Sequence, residues 1–304
     1  MFVRVFLLFL ALAAAWLPTA HASDLVLVLS DRGGVYGEFA EALKKSLADS
    51  SWRVVATVTP DRLAAEPALR NAELWLTVGS EATRQSLPQA LNVGVMATLL
   101  PRSAFEAMSP ESAYRGKGRL QALVLDQPLE RQVQLIQTLF PGRKKVGLLA
   151  GPEGRARLAA AQQALRAGGL TPESEEAADD SAVVPAANRL LGRADVLLAL
   201  PDGLVYSRTN VPPVLLASYR HQRPVVGYSA AFVNAGAIAG IYSTPAQIAR
   251  QVAEILASGR RPAATILYPN RFTLSYNRQV AQSLGIELPD ERGVLRALEN
   301  KGED

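Results

Sequence analysis

The stretch RPVVGYSAAFVNAGAIAG, residues 223–240, decides how this chain is read. An apolar run over 224–227 stops at Tyr228-Ser229, passes through small residues, and resumes after Gly236-Ala237. Two chemistries share that order. One is the strand-turn-helix elbow of a serine hydrolase, G-x-S-x-G, here with Ala231 in place of the last glycine. The other is a turn at the end of a sheet strand, where side chains meet a ligand. The elbow needs a histidine far downstream of the serine. The chain has 2 histidines, and both His21 and His221 precede Ser229. The strand-end turn is therefore the expected reading, and no catalytic residue is assigned.

Working outward, short apolar runs alternate with longer segments of helical period. Strands are expected over 25–29, 53–57, 74–78, 93–97 and 120–125, then over 145–150, 195–200, 224–228 and 237–241. Several are continuous apolar runs, as strands covered on both faces require. Between them lie helical stripes: Phe39, Ala40, Leu43 and Leu47; Leu129, Val133, Ile136, Leu139 and Phe140; Ile248, Val252, Ile255 and Leu256. Thr244 is placed to cap the last, with Pro245 at its first position. This alternation predicts an α/β architecture of two lobes, each a mostly parallel sheet flanked by helices, joined by a hinge near LVLDQP (123–128). Lobe 1 is expected over 23–125 with 245–268, lobe 2 over 126–244 with 269–290, and a C-terminal tail over 291–304. Ligands of such sheets bind beyond the carboxyl ends of the strands.

The first 22 residues have the form of a secretory signal peptide: Arg4, an apolar stretch over 5–17, and the small residues Ala20 and Ala22 before Ser23. Cleavage there predicts a soluble periplasmic protein with no membrane insertion after processing. The chain has 0 cysteines, which excludes disulfides, thiol mechanisms and a lipid-modified cysteine. With a single histidine after the leader, zinc sites built from His and Cys are excluded too, and no metal or cofactor is expected. The formal net charge is +4. The basic groups Arg115-Lys117-Arg119, Arg143-Lys144-Lys145 and Arg260-Arg261 are short and lack interleaved aromatics, so nucleic acid is not an expected partner.

Four stretches together resemble one family. PLERQVQLIQTLFPGRKKVGLLAGP (128–152) resembles the helix and strand that open the second lobe of ABC transporter substrate-binding proteins, in their tryptophan/tyrosine-type branch. RADVLLALPDGLVYS (193–207) is similar to that family's strand-P-x-D segment. The 223–256 region resembles its strand, turn and closing helix. RFTLSYNRQVAQSLGIELP (271–289) is similar to its ending, in which an Asn opens a helix. The resemblance implies a type I periplasmic binding-protein fold closing on a small organic ligand, an amino acid or relative. It further implies a monomer that serves an inner-membrane ABC permease and performs no chemistry. The other reading of the same fold is a sensor or accessory protein with a protein partner and a degenerate cleft.

Candidate ligand contacts follow the strand ends. Ser30 and Tyr36 lie in the glycine-rich turn after the first strand, either as an anion seat or as an ordinary βα turn. Gly79 and Ser80 open a helix after the third strand, Ser80 as its cap and Gly79 for close backbone approach. The family's loop there is G-T-x-A, which Ser80 and Ala82 match. Relatives carry Asn-Pro where this chain has Gly151-Pro152, removing a side-chain amide. Arg155 nearby is either a bidentate grip on a carboxylate or a solvated helix residue. Asp202 is the counter-charge for an ammonium group, a helix cap, or both. Tyr206 and Tyr228 offer rings to an apolar or aromatic ligand, and Ser229 completes the set.

Overall fold

The structure, a computed structural model, describes residues 23–108, 119–152, 154–259 and 265–300. The expected leader, Arg115, Lys117 and Arg260-Arg261 lie outside the described residues. The first half runs β1 (Ser23–Leu29), α1 (Gly34–Ser46), β2 (Trp52–Val58), β3 (Leu74–Val78), α2 (Ser80–Ser86), β4 (Gly94–Thr98), α3 (Arg102–Met108) and β5 (Leu120–Leu123). Then follow α4 (Leu129–Leu139), β6 (Lys145–Ala150), α5 (Arg155–Ala167), β7 (Thr171–Glu176), α6 (Asp180–Leu191), β8 (Val196–Leu198), α7 (Val211–Arg220), β9 (Val225–Gly227), α8 (Ala230–Ala235) and β10 (Ala239–Tyr242). The return comprises α9 (Pro245–Ala257), β11 (Ile266–Leu267), β12 (Thr273–Tyr276), α10 (Arg278–Ser283) and α11 (Glu291–Asn300).

The strands form two six-stranded sheets, ordered β11-β5-β4-β3-β1-β2 and β12-β10-β9-β8-β6-β7. Pairing is parallel throughout apart from β10 with β12. The continuous apolar run of β1 is explained by cover on both faces. Leu25, Leu27 and Leu29 pack with Phe39 and Leu43 of α1 and Ile248 and Val252 of α9. Val26 and Val28 face a second cluster with Leu63, Trp75 and Leu87. The other sheet is built alike: Val146 and Leu148 pack toward α4 and α5, Leu149 and Leu197 toward α6 and α7.

Strands β7, β11 and β12 and helix α11 lie outside the sequence expectation. β7 has the sequence TPESEE and is half exposed along most of its length. It is an edge strand, and its glutamates pair with Arg155, Arg189 and Arg193. Charge at an open edge blocks further strand pairing, so this strand carries no apolar signature. Residues 291–300, expected as tail, form α11, whose Val294 and Leu298 are buried in the second lobe's core.

The chain passes between the sheets three times: over 124–128 after β5, over 243–244 after β10, and over 268–272 between β11 and β12. The helix after the second passage, α9, returns to the first lobe and packs on α1. It begins where a reciprocal cap demands. Thr244 Oγ1 accepts from the Gln247 N–H while Gln247 Oε1 accepts from the Thr244 N–H.

Candidate functional site

In the first lobe, Ser30, Tyr36, Gly79 and Ser80 come together at the carboxyl ends of β1 and β3. Gly79 has φ +94°, and a Cβ there would lie 2.5 Å from Ser30 Oγ and 2.7 Å from Tyr36 Cε1. Only glycine satisfies both the backbone and the space. Ser80 is not the cap of α2; it is the helix's first residue, after Gly79. The capping oxygen comes from the neighbouring strand, for Ser30 Oγ accepts from the Ala82 N–H at 2.9 Å. Ser30, Tyr36 and Ser80 remain half exposed.

In the second lobe Asp202 does something the sequence did not announce. Its Oδ2 accepts from the N–H groups of Gly151 (2.8 Å) and Gly154 (3.0 Å), and its Oδ1 from those of Leu204 (3.1 Å) and Val205 (2.9 Å). The carboxylate thus clasps the loop after β6 to the loop after β8, and both oxygens are used in doing so. Gly151 and Gly154 follow from this approach: a Cβ at either would lie 2.8 or 2.5 Å from an Asp202 oxygen. The glycine at 151 is thus a requirement of the clasp. Asp202 is buried, and among the described residues no basic side chain pairs with it.

Tyr206 and Tyr228 pack together with Phe232. Tyr206 meets the two rings edge-on at centroid separations of 6.0 and 5.3 Å, and Tyr228 lies tilted against Phe232 at 5.3 Å. Tyr206 is buried and Tyr228 half exposed, so Tyr228 is the ring available to a ligand. Burial, and then the charge of Asp202, pushes the Tyr228 phenol up to about 12. Ser229 caps α8, its Oγ accepting from the Phe232 N–H at 3.2 Å. Its backbone is extended and unstrained, unlike a nucleophile elbow. His221 Nε2 lies 3.1 Å from Asn188 Oδ1. Arg155 is exposed and pairs with Glu176 at 2.7 Å, as a solvated residue at the start of α5 does.

The residues that sequence reasoning missed stand at the passages between lobes. Asp126 is buried; its Oδ1 meets the guanidinium of Arg157, in the first turn of α5, and its Oδ2 accepts from the Arg102 N–H that opens α3. Gln127 Nε2 donates to Ser243 Oγ (3.0 Å), which donates to the Arg271 carbonyl (2.6 Å), linking all three passages. Arg131 donates to Gln127 Oε1 and lies 4.1 Å over the Phe272 ring. Burial lowers its guanidinium to about 10, which leaves it charged at neutral pH. The one signal available was a pair of polar residues, Asp126-Gln127, ending an apolar run.

With Asp126 following β5 and Arg157 following β6, the carboxyl ends of the two sheets meet at the hinge. The model of the ABC transporter substrate binding protein family matches residues 124–299, more than half of the chain. The chain belongs to that family. Solved structures repeat the fold of this substrate-binding protein. A conserved domain protein from Vibrio cholerae is 18% identical at TM-score 0.61, covering 90% of this chain and 98% of that one. An ABC domain from Streptococcus pneumoniae, solved in complex with L-Trp, is 15% identical at TM-score 0.63, covering 90% and 97%. A substrate binding protein with adhesive properties from Clostridium difficile, in a ligand-free, open structure, is 13% identical at TM-score 0.67, covering 88% and 96%. No curated protein matches significantly. Among the described residues of this family member, no helix is long and apolar enough to cross a membrane, and no group of three His, Cys, Asp or Glu side chains is placed to hold a metal.

Proposed function

We propose that this substrate-binding protein traps a small organic solute between its lobes in the periplasm, as a monomer, and delivers it to an ABC permease for import. The observation that carries the reading is the buried contact of Asp126 with Arg157, which sets the strand-end loops of one lobe against those of the other. Half-exposed groups stand on both sides: Ser30, Tyr36 and Ser80 in the first lobe, Tyr228 and Ser229 in the second. Gly79 and Asp202 shape these walls, and Tyr206 backs the ring that faces outward. Arg155, paired with Glu176, stands at the start of α5 on the second-lobe side. The solute class of this reading is an amino acid or related compound, as in the tryptophan/tyrosine-type branch, and closure of the lobes replaces catalysis.

A thermal-shift screen of amino acids, amines, nucleobases and small acids tests this. A solute at 100 times its Kd stabilises the folded state by about 2.7 kcal/mol. The same solute is expected to shrink the radius of gyration in small-angle scattering, and its uptake by cells is expected to fall when the gene is deleted. If no compound stabilises the protein, the cleft is degenerate and the partner is a protein, as in the sensor reading.

A further inference from the structure

The first lobe has a second opening at the amino ends of its strands, opposite the ends that meet the other lobe. A cavity of about 280 Å³ lies there, between the beginnings of β1–β5 and the last turn of α9. One side is apolar: Trp52, Leu74, Met96, Ile255 and Leu256 all belong to the core packed under α1 and α9. Trp52 is fixed as a wall, because its Nε1–H donates to the Leu256 carbonyl at 3.1 Å. The other side carries Ser23, Glu73 and Arg119, with the Ser23 hydroxyl donating to Glu73 Oε2 at 3.1 Å.

Gly94, which also lines this cavity, has no reason in the packing to be glycine. Glycine weakens a strand and marks a bulge, a bend or the close approach of a ligand. In β6, β9 and β10 the neighbours demand it: a Cβ at Gly147, Gly227 or Gly240 would lie 3.0, 2.8 or 2.6 Å from a side chain. At Gly94 the first atom met is Leu74 Cδ1 at 3.5 Å, an ordinary contact, and its backbone is not left-handed. Strand β4 pairs with β3 and β5 in unbroken register, so no bulge calls for it either. A side chain at 94 would stand between Leu74 and Arg119 and fill the cavity. The glycine keeps the space open.

The walls define what fits. An apolar cavity of about 150 Å³ holds benzene, so this larger one has room for a two-ring body. The Trp52 indole and the Met96 sulfur both favour contact with an aromatic ring. Glu73 and Arg119 bring opposite charges to the polar side, so an ion of either sign meets a like charge there. The C-terminal end of α9 adds partial negative charge, which favours a hydrogen-bond donor and opposes an anion. We infer that this cavity is a second binding site, for a neutral aromatic molecule carrying a hydroxyl or N–H group. It stands at the far end of the lobe from the cleft and does not depend on the solute reading.

Titration with naphthol, naphthoate and naphthylmethylammonium, followed by calorimetry and NMR, tests this. Naphthol is expected to bind and to move the Trp52 indole N–H and Met96 methyl resonances, and both ions to bind about tenfold more weakly. Gly94→Leu is expected to weaken naphthol binding about tenfold or more, with a urea midpoint no lower than that of the wild type. If that variant does not fold, the wild-type resonance map decides by itself. Absence of naphthol binding, unmoved Trp52 and Met96 signals, or shifts confined to Tyr36 and Tyr228 at the cleft would overturn the inference. So would undiminished binding by a folded Gly94→Leu. Equal or tighter binding of either ion would overturn the ligand class.

Discussion

Asp202 shows how a side chain's role depends on partners that are remote in sequence. As a helix cap it would tolerate Asn almost without cost. As a clasp it receives two N–H donors on each oxygen, and an amide offers only one oxygen. Asp202→Asn is therefore expected to leave one pair of backbone N–H groups facing an NH2, destabilising the fold by about 2 kcal/mol or more in urea denaturation. Gly154→Ala should act on the same clasp, because its Cβ would fall 2.5 Å from Asp202 Oδ2. At alkaline pH the partly buried Tyr228 phenol contributes. Tyr228 titrates at about 12 in the folded protein against about 10 unfolded. Its contribution is complete below pH 10 and is lost as pH rises through 12, because the unfolded chain ionises first. Denaturation at pH 9, 10.5 and 11.5 should show stability falling, with a shallower fall in Tyr228→Phe.

At the scale of elements, caps and edges account for both the agreements and the misses. Thr244-Pro245 marks the start of α9 by local chemistry alone, and the structure has the reciprocal cap there. Helix α2 differs, because its cap comes from Ser30, fifty-two residues away on another strand end. Ser30→Ala is expected to cost about 1 kcal/mol of stability, whereas Ser80→Ala should cost less than half of that. Comparing the two urea midpoints checks the assignment, and equal losses would contradict it. Strands β7, β11 and β12 and helix α11 were not legible as elements, and β7 and α11 show why. The first is an edge whose charges obscure strand character. The second gains its place only from the core it covers, through Val294 and Leu298.

For the molecule as a whole, the three passages and their polar ties govern how one lobe moves against the other. Arg157 and Asp126 are nearly inaccessible and join α5 of the second lobe to the start of α3 in the first. Removing one member of a buried pair strands the other, at a cost of about 3–5 kcal/mol. Arg157→Met is expected to lose stability on that scale and to enlarge the radius of gyration of the solute-free protein. An unchanged scattering profile would confine the pair to a local packing role.

The sequence by itself determined the layered α/β architecture, the two series of strands and the strand-end turn at Tyr228-Ser229. Those follow from periodicity and turn chemistry, which are local and survive in a single chain read from end to end. Only the tertiary structure decided that Asp202 is spent on backbone, that Ser30 caps a distant helix, that Arg155 pairs at the surface, and that Asp126 meets Arg157 at the hinge. Each of these depends on which groups the fold brings within about 3 Å of one another. Residue type states what a side chain is able to bond, and three-dimensional proximity selects the bond that is made.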